Sequence, residues 1–171
     1  TGGAGMVKSA YSTGKPALGV GPGNTPAYIT KDAKIKRAVN DLYLSKTFDN
    51  GMICASEQAI IVDNEVYNDV KEEFLAHNAY IVSSKAELAK LQAAVMLPDG
   101  HAVNPKIVGF SAKYIAELAG IKVPEETKLL IAEIAGVGVD FPLSREKLSP
   151  VLAMVKANST EEGLDLCEAM L

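Results

Sequence analysis

Lys46-Thr47-Phe48-Asp49-Asn50-Gly51-Met52-Ile53-Cys54-Ala55-Ser56-Glu57-Gln58 runs directly into Ala59-Ile60-Ile61-Val62. The second string decides the fold class. Apolar residues without alternation suit a strand covered on both faces, as in a parallel sheet flanked by helices. The first string is polar and contains glycine, so it reads as a bend between a helix and that strand. Upstream, Ile35, Ala38, Val39, Leu42 and Tyr43 recur at three- and four-residue spacing, which predicts a helix opened by Asp32.

The same alternation extends outward. Residues from about Ala4 to Thr13 read as a helix ended by Gly14-Lys15-Pro16. Ala17–Val20 and Ala27–Ile29 read as short strands around the turn-rich Gly21-Pro22-Gly23-Asn24-Thr25-Pro26. Downstream, Tyr67, Val70, Phe74 and Leu75 mark a helix, and Tyr80-Ile81-Val82 a strand. Ser84-Lys85-Ala86-Glu87 is a capping box. Lys106-Ile107-Val108 is strand-like, Ser111–Ala119 is helical with Gly120 at its end, and strands follow at 129–134 and 151–155. Ser159-Thr160-Glu161-Glu162 opens a last helix through Leu164 and Cys167. Strands alternating with helices imply an α/β fold with a mostly parallel sheet and helices on both faces.

Composition narrows the function classes. The 171 residues are 48% hydrophobic and 22% charged, enough to bury a sizeable core. A net charge of -4 with dispersed Lys and Arg gives no basis for nucleic-acid binding. No apolar run approaches the roughly 18 residues of a membrane span. The two cysteines are far apart and make no disulfide framework, so a reducing, cytoplasmic setting is expected. Two His and two Cys without ligand spacing predict no metal site. The glycine-rich turn at the start and the uncapped last helix read as an internal piece of a longer protein.

Cys54 is the leading candidate for chemistry. A thiol on a bend can meet a substrate, with Phe48 and Ile53 to wall a pocket and Asn50 and Gly51 to supply backbone freedom. The competing reading is an inert packing cysteine. A free thiol ionises near pH ~8.5, so a nucleophile at neutral pH needs a base or a lowered pKa. No His lies close by in sequence to supply one. Cys167, among Leu164 and Leu171, reads as core. Gly2, Gly3 and Gly5 before a helix read either as a tight turn or as a phosphate contact. Ser144-Arg145-Glu146-Lys147 reads, on its residue types alone, as a solvated loop.

The strings TGGAGMVKSAY, GVGPGNTPAYI, SKTFDNGMICASEQ and EKLSPVLA resemble, in this order, the aldehyde dehydrogenase superfamily. They are most similar to its CoA-acylating branch, the acetaldehyde dehydrogenase half of bifunctional aldehyde–alcohol dehydrogenases. The resemblance covers essentially the whole chain. It implies a thiohemiacetal and then a thioacyl-enzyme on Cys54, hydride transfer to NAD, and release of the acyl group to coenzyme A, in fermentation toward ethanol. Met52 stands where the family's Gly-Gln-x-Cys has glutamine. The resemblance implies cofactor contacts at Gly2, Gly3, Gly21, Glu146 and Leu148, Glu146 serving the nicotinamide ribose. Val20 aligns with the glutamate that activates the deacylating water in hydrolytic members. A valine accepts no proton, so the acyl group is expected to leave to a thiol rather than to water.

By the same resemblance, residues 1–50 are the tail of a Rossmann-like NAD-binding domain and 51–171 part of the catalytic domain. The full-length protein is expected to form a homo-oligomer or filament, and the isolated chain to be inactive. NAD against NADP is left open. Two alternatives stand beside this reading: an acylating dehydrogenase for another aldehyde such as sulfoacetaldehyde, and a non-catalytic nucleotide-binding or filament module.

Overall fold

The computed structural model describes residues 4–19 and 23–171. The expected contacts at Gly2, Gly3 and Gly21, and the Val20 substitution, lie outside them. In chain order the elements are α1 (Ala4–Ser12), β1 (Pro26–Ile29), α2 (Ile35–Thr47), β2 (Ala59–Asp63), α3 (Tyr67–Ala76) and β3 (Ala79–Val82). They continue with α4 (Lys85–Val95), α5 (Ala112–Ala119), β4 (Leu129–Glu133), β5 (Val151–Ala157) and α6 (Thr160–Glu168).

The sheet has five strands in the order β1-β2-β5-β4-β3, and every neighbouring pair is parallel. Ala59 to Asp63 is buried throughout, as its unbroken apolar run requires. Alternate residues serve opposite faces. Ile60, Val62, Leu129, Ile131, Leu152 and Met154 pack under Val39 and Leu42 of α2 and Val70 and Phe74 of α3. On the other face, Leu130, Ala132 and Val151 meet Leu91 and Val95 of α4 and Ile115 and Ala116 of α5. Ala59, Ile61 and Ala153 meet Leu166, Cys167 and Met170 in and just after α6, so Cys167 is a packing residue as expected.

Capping chemistry sets several helix ends. The Glu87 N–H donates to Ser84 Oγ at 3.2 Å, and the Glu162 N–H to Ser159 Oγ at 3.1 Å. Gly120 closes α5 in a left-handed conformation with φ 66°.

Three expectations differ. Residues 17–19 form no strand. Lys106–Val108 is not a strand either: Pro105–Ile107 is a 3-10 turn, because Pro105 starts it and Asn104 caps it by accepting from the Lys106 N–H at 3.1 Å. Helix α2 begins at Ile35 rather than Asp32, which lies in the preceding turn. Packing is continuous across residue 50, since β1 pairs with β2 along four residues and α2 covers the common sheet.

Candidate active site

Strands β1, β2 and β5 lie side by side, and the segments that enter them carry the candidate residues. Gly23 and Asn24 precede β1, the Cys54 bend precedes β2, and Glu146–Ser149 precedes β5. The site therefore forms at the amino ends of the strands, opposite to the carboxyl-end crevice where ligands usually bind in open α/β sheets.

Three consecutive residues with positive φ shape the bend: Asp49 at 47°, Asn50 at 50° and Gly51 at 66°. Gly51 is pressed against its surroundings. A Cβ there would sit 2.5 Å from the Ser149 carbonyl oxygen and 2.9 Å from that of Lys46. Asn50 Nδ2 donates to the Gly109 carbonyl at 2.9 Å, and the Gly109 N–H donates to the Leu148 carbonyl at 3.1 Å. Bend, 109 loop and 146–149 loop thus lock onto one another. Leu148 adopts φ 45°, a conformation that strains a side chain of its size and is characteristic of sites held by their surroundings.

Cys54 is exposed on this bend. Gly23 passes close beneath it, since a Cβ on Gly23 would lie 3.7 Å from the Cys54 carbonyl oxygen. A hollow of about 300 Å³ is lined by Leu44, Ser45, Phe48, Ile53, Ala55 and Ser56, the neighbours of Cys54 but not Cys54 itself. Phe48 and Ile53, expected as pocket walls, form part of this lining and remain 63% and 41% exposed.

Glu146 borders a second cavity, of about 490 Å³, together with Gly23, Asn24, Ser144 and Arg145. Partial burial raises its carboxyl pKa, while Lys46 and Lys147 pull it back down. Asn24 Oδ1 and Arg145 Nε are buried without hydrogen-bond partners among the described residues. Unpartnered donors and acceptors beside a carboxylate fit a polyhydroxylated ligand such as a ribose. Glu146 is therefore no solvated loop residue. A larger hollow of about 760 Å³ lies along α4, lined by Leu88, Met96, Phe141 and others. It contains no residue of the Cys54 or Glu146 segments, so its size does not make it the reaction site. No group of three or more His, Cys, Asp or Glu among the described residues could hold a metal ion.

Lys46, Gln58 and Lys147 carry polar groups into the core behind the bend, all fully buried. The sequence reading missed them. A signal existed: Lys46 follows Val39 and Leu42 on the apolar stripe of α2, and Gln58 shares the alternation of Ile60 and Val62.

Burial lowers the Lys46 pKa from 10.5 to about 7, against the pull of Glu57 and Glu146. Between those values the unfolded chain holds a proton that the folded chain does not. This group's contribution to stability therefore rises with pH from about 7 toward 10.5, and is lost again as pH falls toward 7. Urea titrations should show the wild type gaining on Lys46→Met by on the order of a few kcal/mol across that window. A difference that stays constant with pH would contradict the lowered pKa of Lys46.

The aldehyde dehydrogenase family profile matches residues 2–96. The aldehyde-alcohol dehydrogenase of Clostridium acetobutylicum is 56% identical over 164 residues, which cover 96% of this chain and 19% of that protein. An acetylating aldehyde dehydrogenase structure from Geobacillus thermoglucosidasius superposes with TM-score 0.93 and 47% identity over 99% of this chain and 37% of that one. A propionaldehyde dehydrogenase from Rhodopseudomonas palustris, solved with bound CoA and an acylated cysteine, gives TM-score 0.88 and 30% identity over 99% and 38%. The chain spans about a fifth of the length of the first curated relatives it matches.

Proposed function

The chain belongs to the aldehyde dehydrogenase family, and from that premise we propose that Cys54 is the nucleophile of an NAD-dependent, CoA-acylating interconversion of acetaldehyde and acetyl-CoA. The observation that carries this reading is the exposed thiol on a bend locked against the Glu146–Ser149 loop. The Cys54 thiolate attacks the aldehyde carbonyl carbon, and the carbonyl oxygen becomes the alkoxide of a thiohemiacetal. The nicotinamide cofactor supplies the hydride acceptor, and loss of hydride from that carbon leaves a thioester on Sγ. The thiolate of coenzyme A then attacks the thioester carbonyl, and the Cys54 thiolate leaves.

Glu146 accepts hydrogen bonds from the ribose hydroxyls in this reading, and Leu148 flanks the nicotinamide. Gly2, Gly3 and Gly21 complete the cofactor contacts, and the cofactor is NAD. In this reading the chain spans the junction between the NAD-binding and catalytic domains. Because β1 and α2 share the sheet with β2, we place the junction ahead of Pro26. Assembly of the whole protein into an oligomer or filament, and its place in fermentation, also belong to this reading.

The test is mass spectrometry of the full-length protein mixed with acetaldehyde and NAD, without coenzyme A. An acetyl group should appear on the Cys54 peptide and disappear when coenzyme A is added, with acetyl-CoA formed in step. An adduct that is absent, or that coenzyme A does not discharge, overturns the reading.

A further inference from the structure

Gln58 sits where three segments meet. Its Oε1 accepts from Lys46 Nζ at 3.1 Å and from the Lys147 backbone N–H at 3.0 Å, and its Nε2 donates to the Ser56 carbonyl at 2.9 Å. Lys147 Nζ donates to the carbonyls of Gln58, Leu143 and Arg145 at 2.8, 2.8 and 2.7 Å. Three acceptors match the three N–H bonds of an ammonium, whereas a neutral amine would leave one carbonyl without a donor. Lys46 Nζ also faces Ser56 Oγ, at a long 3.4 Å.

This arrangement is costly for stability alone. Lys46 and Lys147 are both fully buried, burial lowers both pKa values, and Lys46 lowers that of Lys147 further; Glu57 and Glu146 act in the opposite sense, yet among the described residues no carboxylate forms an ion pair with either lysine. Burying an ammonium costs several kcal/mol, and well-packed aliphatic side chains of similar volume are often at least as stable. What the polar cluster supplies is registry. Ser56 lies two residues after Cys54, Lys147 adjoins Glu146, and Lys46 lies in the last turn of the helix that leads into the bend.

We propose, building on the assignment of Cys54 as nucleophile and Glu146 as ribose ligand, that Gln58 is a positioning residue. Its single amide, shared between Lys46, Ser56 and Lys147, holds the Cys54 bend in fixed register with the Glu146 loop. It thereby sets the separation between the reacting thiol and the cofactor's ribose. Gln58 touches neither substrate nor cofactor. Its effect passes through backbone: Nε2 grips the bend at Ser56, and Oε1 grips the loop at the Lys147 N–H. An aliphatic side chain of the same length would fill the space and leave the two segments free to slide by fractions of an ångström. Hydride transfer is sensitive to displacements of that size.

The experiment uses the full-length protein with acetaldehyde, NAD and coenzyme A, and compares wild type, Gln58→Met and Gln58→Glu. Gln58→Met should lower kcat by about tenfold to a hundredfold. Its cofactor-free alkylation by iodoacetamide should stay within about threefold, because access to Cys54 and its thiolate fraction are not what the amide controls. Gln58→Glu keeps an acceptor for Lys46 Nζ and the Lys147 N–H but turns an oxygen toward the Ser56 carbonyl where Nε2 donated, so it should lose kcat as well. A merely structural role would lower the melting temperature and leave kcat of the folded enzyme unchanged.

An active wild type with Gln58→Met within about threefold of its kcat overturns the positioning role alone. A Gln58→Glu variant that keeps the wild-type kcat overturns it as well, because the grip of Nε2 on Ser56 would then not matter. A wild type with no CoA-dependent NADH formation instead removes the functional reading beneath it. Should Gln58→Met not fold, Lys46→Met removes one of the two donors to the same oxygen. That variant should show a smaller kcat loss of about threefold to tenfold, and an unchanged kcat there overturns the proposal.

Discussion

Replacing Cys54 by alanine in the full-length protein is expected to abolish CoA-dependent NADH formation while leaving folding intact. Deleting the nucleophile of a covalent enzyme costs on the order of a millionfold in kcat, because the remaining contacts bind substrate without opening the covalent route. Stability should barely respond. Cys54 is exposed on its bend, so removing the sulfur opens no cavity, and surface substitutions of this kind stay within about 0.5 kcal/mol. The two readouts must therefore separate. Progress curves should be flat at enzyme concentrations that turn over readily in the wild type, with thermal midpoints within about 2 °C. Turnover above about a thousandth of wild type would remove Cys54 as nucleophile, since a bystander cysteine can be lost without consequence. The cysteine in the α6 layer provides the contrast. Cys167 is half-buried against the sheet and its thiol pKa is raised by burial, so its replacement should affect packing rather than turnover.

Some of this architecture was legible from residue types alone. Ala59–Val62 announced a strand buried on both faces, and its burial and parallel pairing on both edges follow from that. Ser84 and Gly120 marked helix ends because capping is local chemistry: an oxygen within reach of an N–H, or a residue free to take positive φ. The site was legible only at Cys54. Glu146 lies in a charged string that residue types assign to solvent, and only the family resemblance singled it out. The interior position of Lys147 depends on three carbonyls supplied by segments up to 89 residues away, which no local pattern encodes. Lys106–Val108 failed for the converse reason. Its apolar pair suggested a strand, yet Asn104 and Pro105 had already committed the backbone to a turn.

Gly51→Ala is expected to damage both stability and catalysis, and Gly120→Ala shows why the two effects can be told apart. Both glycines have φ of 66°, so alanine at either pays the left-handed penalty of about 1 kcal/mol. At Gly120 nothing lies within 4 Å of the added methyl group, so the penalty ends there. At Gly51 the methyl group would meet the Ser149 carbonyl oxygen at 2.5 Å, its carbon at 2.7 Å and the Lys46 carbonyl oxygen at 2.9 Å. These are backbone atoms and cannot swing aside as a side chain tip could. Either the bend lifts from the loop or the loop retreats from the bend, and each movement separates Cys54 from Glu146. The added strain should bring the total loss to about 2–4 kcal/mol. The displacement should lower kcat of the folded enzyme by about a hundredfold, since misplacement by an ångström costs that much in a positioned reaction. Urea denaturation and steady-state kinetics on both variants decide the matter. If Gly51→Ala loses no more stability than Gly120→Ala and keeps its kcat, the contact with Ser149 does not hold the bend, and the docking of these two segments is not what positions the thiol.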